Sequence, residues 1–489
     1  MTVLIETDGL AVDGLDSIVR PTTLRVHAGV PFTILGETGS GKSLLAQAIA
    51  GTLPDGLAAR GRVRINGRDV LGLSHADKRR HLWGRAIAIL PQEPWLALDP
   101  TARAAPQVWE GFTRVLKLPR AAARAATGQA LRALGLEDAA RKLPGQLSGG
   151  MAQRVAFVAA RAGGAPIVIA DEPTKGLDAA RRDDAVDLLK SGMGTTGGLL
   201  VISHDIAVPK RLGGEVAIML KGSIIESGPV DQVLSNPRHN YTRRLLAADP
   251  AVWPEPAASP VGDRLIEVEG LAKSRGGRTL FRDLSFTLHR GEIIGVVGPS
   301  GCGKSSLGDL LLGVIAPDGG TIRRNPSWPA LRFQKVWQDP PAAFAPQLTL
   351  RTALGDLVRR HGLAWDRIPP LMDRLGLSTA LLDRPPGGIS GGELQRFSLL
   401  RTLLLDPVFL FADEPTSRLD LITQQEIVGL MRDVARETGC GLLLVSHDHA
   451  LINRVADRVI AIGPQSHLAS SRLASPQVAS PSLTSGDAA

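Results

Sequence analysis

The sequence predicts an α/β chain built from two tandem copies of one domain, each with a mostly parallel core sheet flanked by helices. Two observations support this prediction. Short motifs recur in the same order in both halves, and most of them directly follow an apolar run of strand length. A chain of 489 residues is also too long for one ordinary domain.

Four short motifs establish the repeat. They are Ala-Asp-Glu-Pro-Thr at 170–174 and 412–416, Ser-Gly-Gly at 148–150 and 390–392, Ser-His-Asp at 203–205 and 446–448, and Gly-Lys-Ser at 41–43 and 303–305. The first two pairs share an offset of 242 residues. A fixed order at nearly fixed spacing indicates a duplicated domain.

The spacing of the two copies differs at one place. Lys42 and Gln92 are 50 residues apart, whereas Lys304 and Gln338 are 34 apart. In the first copy this stretch includes residues 61–67, which alternate like a strand followed by a turn. We therefore expect a β-rich N-terminal lobe in each copy, with about one hairpin or helix fewer in the second.

The expected domain boundaries follow from composition. The two domains are predicted at 1–248 and 263–463. A proline-rich segment at 249–262 is typical of a short, semi-rigid linker. The residues at 464–489 are mostly Ser, Ala and Pro, and we expect them to form a disordered tail.

Composition and charge exclude several classes of protein. No apolar run approaches the roughly 18 residues of a membrane span, and no signal peptide is evident, so we expect a cytoplasmic location. The two cysteines, Cys302 and Cys440, are too few for a disulfide framework or a zinc site. The formal charge of +8 comes without a long basic run, which favours a solvated surface and no nucleic-acid partner.

Two glycine-rich loops each lie between an apolar strand and a helical stretch. Their glycines allow backbone N–H groups to surround phosphates at a helix N-terminus. The lysine is expected to reach the β- and γ-phosphates, and the following serine to ligate Mg²⁺. The sequence therefore predicts ATP and Mg²⁺ as cofactors. The predicted residues are Gly36, Gly39, Gly41, Lys42 and Ser43 in the first copy, and Gly298, Gly301, Gly303, Lys304 and Ser305 in the second.

Two further apolar strands in each copy end in residues suited to hydrolysis. The aspartates Asp171 and Asp413 are predicted to hold Mg²⁺, since a carboxylate at a strand end can join its coordination shell. The adjacent glutamates and the histidines of the Ser-His-Asp motifs are predicted to be catalytic, as polarisers of the attacking water and as γ-phosphate sensors. These catalytic candidates are Glu172, Glu414, His204 and His447.

With these residues in place, the chain resembles the ABC ATPase superfamily over nearly all of positions 1–463. Residues 147–154 and 389–396 are similar to its signature motif, which implies a helical signature subdomain in each copy. In the family this motif faces the ATP bound by the other cassette, so the resemblance implies intramolecular pairing of the two copies. The signature residues are Ser148, Gly149 and Gly150, and Ser390, Gly391 and Gly392.

Two other loops take part in the resemblance. Gln92 and Gln338 are similar to the glutamine loop, which contacts nucleotide and metal and transmits motion to a permease. Leu177-Asp178 and Leu419-Asp420 are similar to the loop that links the two ATP sites.

A narrower resemblance is to the oligopeptide, dipeptide and nickel importer ATPases, here as a fusion of two chains. It is based on Ser-Gly-Gly-Met-x-Gln-Arg at 148–154 and on residues 236–246, which contain the chain's single tyrosine, Tyr241. It implies an importer translocase for peptides, nickel or related solutes, with two transmembrane permease subunits and an extracytoplasmic substrate-binding protein. The chain would then lie peripherally on the cytoplasmic face of the inner membrane.

Two alternatives remain open from the sequence. One is a soluble tandem ATPase that acts on ribosomes, although such factors carry a long charged linker and this one is short and proline-rich. The other is a factor of phosphonate breakdown, which also resembles this subfamily.

One family position departs from the pattern. The aromatic residue that stacks on adenine is not evident in either copy. Val12 or Asp13 lies near its place in the first copy and Arg275 in the second, so we expect a guanidinium platform in the second copy only.

Overall fold

The computed structural model describes residues 1–177, 179–256, 262–299, 301–417 and 419–463. The predicted tail at 464–489 and part of the predicted linker, 257–261, lie outside them. The chain divides into two compact units. Unit 1 contains Met1–Asp249 together with Arg418–Gln424, and unit 2 contains the other described residues from Pro250 onward.

The elements of unit 1 begin with an antiparallel lobe and continue into a parallel sheet. Its strands are β1 Val3–Asp13, β2 Ser17–His27, β3 Phe32–Leu35, β4 Ala58–Ile65, β5 Arg68–Asp69, β6 Ile87–Leu90, β7 Ile167–Asp171, β8 Gly198–Ser203, β9 Glu215–Leu220 and β10 Ser223–Pro229. Its helices are α1 Lys42–Ala50, α2 His75–Asp77, α3 Ala104–Glu110, α4 Arg120–Arg132, α5 Gly149–Arg161, α6 Ala179–Met193, α7 Ala207–Leu212, α8 Val230–Ser235 and α9 Asn240–Ala247.

Unit 2 repeats this plan in a shorter form. Its strands are β11 Arg264–Arg275, β12 Arg278–His289, β13 Ile293–Val297, β14 Gly319–Arg324, β15 Phe333–Val336, β16 Phe409–Asp413, β17 Gly441–Val445 and β18 Arg458–Ala461. Its helices are α10 Lys304–Leu312, α11 Leu350–His361, α12 Ile368–Arg374, α13 Gly391–Leu403 and α15 His449–Val455. Helix α14, Leu421–Thr438, begins within the segment grouped with unit 1 and continues in unit 2.

The core sheets are mostly parallel, as the sequence predicts. In unit 1 the strand order is β10-β9-β3-β8-β7-β6, with only β10 antiparallel to its neighbour among these pairs. In unit 2 the order is β15-β16-β17-β13-β18, and every pair is parallel. All residues of β8 and β17 are buried, which explains their continuous apolar sequences. Parallel strands place their carboxyl ends at one edge, where the predicted sites lie.

The N-terminal lobes explain the spacing difference between the copies. In unit 1 the lobe has the order β2-β1-β4-β5 and is followed by α2 before the chain enters β6. In unit 2 the lobe has the order β12-β11-β14, and a 3₁₀ turn at Ala330–Arg332 leads from β14 to β15. The segment between β4 and β6, which contains β5, α2 and a π-helical turn at Lys78–Leu82, thus accounts for most of the extra residues of the first copy.

Each P-loop helix is held by the core beneath it. Leu45 and Ile49 of α1 are fully buried against lobe and sheet residues such as Ile5 and Ile34. Truncating a leucine in such a core typically costs about 2–5 kcal/mol of the free energy of unfolding. Burial of this face therefore fixes the start of α1, and with it Lys42 and Ser43.

A separate helical subdomain carries the signature motif of unit 1. Helices α3, α4 and α5 share their own apolar core, which includes Val108, Leu131 and Val155. Among the described residues, no helix combines the length and apolarity needed to cross a membrane.

Candidate functional site

The phosphate loop of unit 1 connects β3 to α1. Gly39 and Gly41 have φ values of 82° and 96°, in the left-handed region that favours glycine. A Cβ on Gly36 would lie 2.2 Å from the carbonyl oxygen of Met219, so the close approach requires glycine. The loop is closed by Lys42, whose Nζ donates to the carbonyls of Gly36 and Glu37 at 2.9 and 2.7 Å.

Lys42 is almost completely buried. Burial lowers its pKa, and the carboxylates of Glu172 and Asp171 oppose that shift. The ammonium group is thus held inside the loop by carbonyl oxygens, where phosphate oxygens would be a stronger set of acceptors.

Ser43 and Asp171 form an oxygen-lined corner beside the loop. The Ser43 hydroxyl donates to Oδ1 of Asp171 at 2.9 Å. Burial raises the pKa of Asp171, and the hydrogen bond from Ser43 opposes this. A hydroxyl and a carboxylate are the hard oxygen ligands that Mg²⁺ prefers, alongside substrate phosphates. The residues therefore fit the predicted metal.

Two other predicted residues of unit 1 contact the Glu172 carboxylate. Gln92 Nε2 donates to Oε2 at 3.2 Å, and His204 Nδ1 lies 3.2 Å from Oε1. Lys175, which the sequence does not single out, places Nζ 3.3 Å from Oε2. Burial raises the pKa of Glu172, but His204, Lys175 and Lys42 outweigh it and the pKa falls to about 2. Glu172 is therefore ionised at neutral pH, as a water-polarising base must be.

The phosphate loop of unit 2 has the same construction. Lys304 Nζ donates to the carbonyls of Gly298 and Pro299 at 2.8 and 3.3 Å. Gly301 and Gly303 again have positive φ values, 76° and 108°. Cys302, itself part of this loop, is buried in the apolar core of unit 2, and burial raises the pKa of its thiol, so it serves as a small packing residue.

The carboxylates of unit 2 repeat the cluster with a different cation. Gln338 Nε2 donates to Glu414 at 3.0 Å, and His447 Nε2 lies 2.7 Å from its other oxygen. Burial raises the pKa of Asp413, which a hydrogen bond from Ser305 opposes. The extra lysine here is Lys335, whose Nζ lies 3.9 Å from Asp413 and 2.8 Å from Asp309. These geometries bring the hydrolytic candidates of each unit together.

The signature residues begin the long helix of each helical subdomain. Ser148 caps α5, where its hydroxyl accepts from the N–H of Met151 at 3.3 Å, with Gly149 and Gly150 in the first turn. Ser390 caps α13 before Gly391 and Gly392. It exchanges hydrogen bonds with Glu393 in a capping box. The function of both signatures at the other copy's ATP stays a prediction.

The residues near the predicted adenine-stacking position differ between the two units. Val12 is fully buried and Asp13 is paired with Arg60 at 2.6 Å, so neither offers a stacking face. The turn beyond them instead exposes Leu15 completely. Arg275 is exposed at the end of β11, before a two-glycine turn.

The loop predicted to link the two ATP sites contains Asp178 and Asp420. Asp178 lies outside the described residues, and the side chain of Asp420 accepts a hydrogen bond from the N–H of Thr423.

The comparison with protein families covers both units. The model described as ABC transporter matches residues 19–175 and 281–417. The chain belongs to the ABC transporter family. It is an ATPase of that family, and the predictions of ATPase activity and of nucleotide binding through two cassettes are confirmed at that level.

Curated relatives match nearly the whole chain. The uncharacterized ABC transporter ATP-binding protein YejF of Escherichia coli is 31% identical and covers 91% of this chain and 90% of its own length. The peptidoglycan transport ATP-binding protein YejF of Agrobacterium fabrum is 32% identical, with 89% and 85% covered. The glutathione import ATP-binding protein GsiA of E. coli is 31% identical, with 91% and 83% covered. The predicted assignment to an import subfamily is thereby confirmed over the soluble alternatives.

A solved structure gives the same fold. The protein titled RNase-L Inhibitor matches with a TM-score of 0.63 and 22% identity, covering 94% of this chain and 90% of that one. At this identity the likeness establishes a shared two-cassette fold and nothing about its activity.

Proposed function

We propose that this chain energises an importer for peptides or peptide-like solutes, with ATP held as its Mg²⁺ complex in both units. Two permease subunits and an extracytoplasmic binding protein would be its partners, at the cytoplasmic face of the inner membrane. The names of two relatives, for peptidoglycan transport and for import of the tripeptide glutathione, favour peptide cargo. Nickel transport, the other predicted cargo, receives no such support.

The chemistry proposed for each unit follows from its clustered side chains. Lys42 and Lys304 would bind the phosphates, and Ser43, Asp171, Ser305 and Asp413, with Gln92 and Gln338, would hold Mg²⁺. The metal would neutralise charge on the phosphate oxygens. Glu172 and Glu414 would accept hydrogen bonds from the attacking water, while His204 and His447 orient these carboxylates and contact the γ-phosphate.

The observation that best supports coupling to a permease is a groove beside Gln92. It measures about 500 Å³ and is lined by apolar residues such as Leu90 and Trp109 together with the polar residues Asp99, Gln107 and Glu110. Leu96, on the 3₁₀ turn Pro94–Ala97 at this groove, is 70% exposed. An exposed apolar side chain beside a groove of mixed polarity is suited to a short amphipathic helix, which presents both apolar and polar side chains. The groove residues Leu90 and Pro91 directly precede Gln92, which contacts Glu172, so a helix bound there would lie close in the chain to the hydrolytic centre.

Replacing Leu96 tests this assignment. The Leu96→Asp chain, co-expressed with its permease subunits, should lose co-purification with them and lose permease-stimulated ATPase activity. Basal ATP binding should stay unchanged. Val314→Asp is the matched control, because Val314 is 71% exposed in unit 2.

Two results would overturn the proposal. One is undiminished stimulation of the Leu96→Asp chain by its permease, which would show that this groove is not the permease docking site. The other is a wild-type chain that sediments with ribosomes and never with permease-containing membranes, which would remove the importer function itself.

A further inference from the structure

The C-terminal extension of unit 1 reaches back to its phosphate loop. Helices α8 and α9 follow the last strand of the sheet, and α9 carries the single tyrosine of the chain, Tyr241. The Tyr241 hydroxyl accepts a hydrogen bond from the backbone N–H of Glu37 at 3.1 Å, across 204 residues of sequence. Glu37 is the second residue of the phosphate loop, between Gly36 and the turn that surrounds the phosphates.

The tyrosine ring is fixed independently of this bond. Only 6% of Tyr241 is exposed, and it packs in an apolar cluster with Leu35, Ile218 and Leu245. Burial also raises the pKa of the hydroxyl, so it stays neutral at all physiological pH values. The hydroxyl is thus a fixed acceptor aimed at the loop.

The start of α9 is anchored by a second group, which lies away from the loop. The Glu226 carboxylate accepts from the N–H groups of Arg238 and His239 at 2.7 and 3.1 Å, and from the Thr242 hydroxyl at 2.6 Å. The position of the helix therefore does not depend on Tyr241 alone.

Unit 2 holds the corresponding loop residue in another way. The residue at the place of Glu37 is Pro299, which has no N–H and a backbone φ fixed near −65°. Its loop therefore needs no acceptor at this point. In unit 1 the half-buried N–H of Glu37 does need one, since an amide shielded from water and left without a partner costs free energy.

We infer that Tyr241, in the C-terminal extension, is a positioning residue for ATP binding in unit 1. Its hydroxyl fixes the backbone of Glu37 at the start of the phosphate loop. Nucleotide affinity in unit 1 thereby depends on α9. In unit 2 the restricted backbone of Pro299 fixes the corresponding part of the phosphate loop without an outside contact. A partner that displaced α9 would weaken ATP binding in unit 1 alone.

The test is Tyr241→Phe in the full chain, which removes the hydroxyl and retains the buried ring. With the unit 2 site silenced by Lys304→Ala, affinity for a fluorescent ATP analogue should fall about threefold to tenfold, as expected for one lost hydrogen bond. With the unit 1 site silenced by Lys42→Ala, affinity should not change. Hydrogen exchange should accelerate in a peptide covering residues 32–43 and stay constant in one covering 294–305.

Thr242→Val is the matched control, because it removes a hydroxyl that anchors α9 without touching the loop. It should leave the affinity of unit 1 unchanged, and thermal melting should confirm that both variants are folded. Equal losses of affinity in the two variants would reduce Tyr241 to a general anchor of the helix and overturn the proposal. Unchanged affinity and exchange in Tyr241→Phe would overturn it as well.

Discussion

The two units place their extra lysine beside different carboxylates. In unit 1 Lys175 lies 3.3 Å from Glu172, the proposed base, and the metal-site aspartate contacts Ser43. In unit 2 the residue equivalent to Lys175 is Ser417, and Lys335 instead approaches Asp413, the proposed metal ligand. The motif residues are alike, so this difference comes entirely from residues outside the motifs.

The strand registers show that the two lysines occupy unrelated positions. Lys335 of β15 pairs with Phe411 of β16, as Ile89 of β6 pairs with Ile169 of β7. An isoleucine in unit 1 thus stands where unit 2 has a cation. Opposite charges a few ångströms apart favour the ionised forms of both groups. We therefore expect Lys175 to favour the ionised form of Glu172 and Lys335 to favour the ionised form of Asp413, and the two sites to differ in kinetics.

The largest expected effect tests whether both sites are needed. Glu172→Gln and Glu414→Gln each remove a proposed base, and phosphate release at the altered site should fall about 100- to 10,000-fold. ATP binding should persist, because the amide has the shape of the carboxylate. Single-turnover phosphate release measures each site. If either single variant kept nearly full steady-state turnover, the two sites would not be mutually required.

A smaller effect is expected at the adenine end of the two sites. Arg275→Ala should weaken ATP binding to unit 2 by about 0.5–2 kcal/mol, or roughly twofold to thirtyfold, if its guanidinium stacks on adenine. Arg278→Ala, at the exposed residue across the same turn, is the control and should have little effect. Titration with the unit 1 loop silenced by Lys42→Ala measures the change. Identical affinities for wild type and Arg275→Ala would leave adenine without this platform.

The smallest effect is expected when Lys175 of unit 1 is replaced by serine, the residue that unit 2 has at the equivalent position, Ser417. Lys175 is one of the charges that lower the pKa of Glu172 to about 2, so Lys175→Ser should raise that pKa. A base is lost as pH falls through its pKa, so the acid limb of the pH–rate profile should move to higher pH, by about one unit or less. Single-turnover hydrolysis in a Glu414→Gln background measures the limb.

The control for this change is Ser417→Ala in unit 2, measured in a Glu172→Gln background. It removes no charge and should leave the acid limb of that unit in place. An unchanged acid limb in Lys175→Ser would mean that His204 and Lys42 keep Glu172 ionised without Lys175.

Much of the architecture could be predicted from sequence alone. The duplicated motifs, the apolar strands before them and the shorter spacing in the second copy determine two parallel-sheet units and the missing hairpin. They also indicate Lys42, Ser43, Asp171 and Glu172 as one cluster, because parallel strands end at a common edge of the sheet. Each of these features is local, because it can be read from the residue types in a short segment and from the spacing between segments along the chain.

Only the tertiary structure decided which other side chains act on these clusters. Val12 lies near the adenine position in sequence, yet it is fully buried in the core, as are its neighbours Leu10 and Ala11 in β1. Lys335 reaches Asp413 from a neighbouring strand, and Tyr241 reaches Glu37 across 204 residues. Such contacts depend on strand order and on the packing of a distant helix. No spacing within a motif encodes them, since the partners meet only when the sheet has assembled.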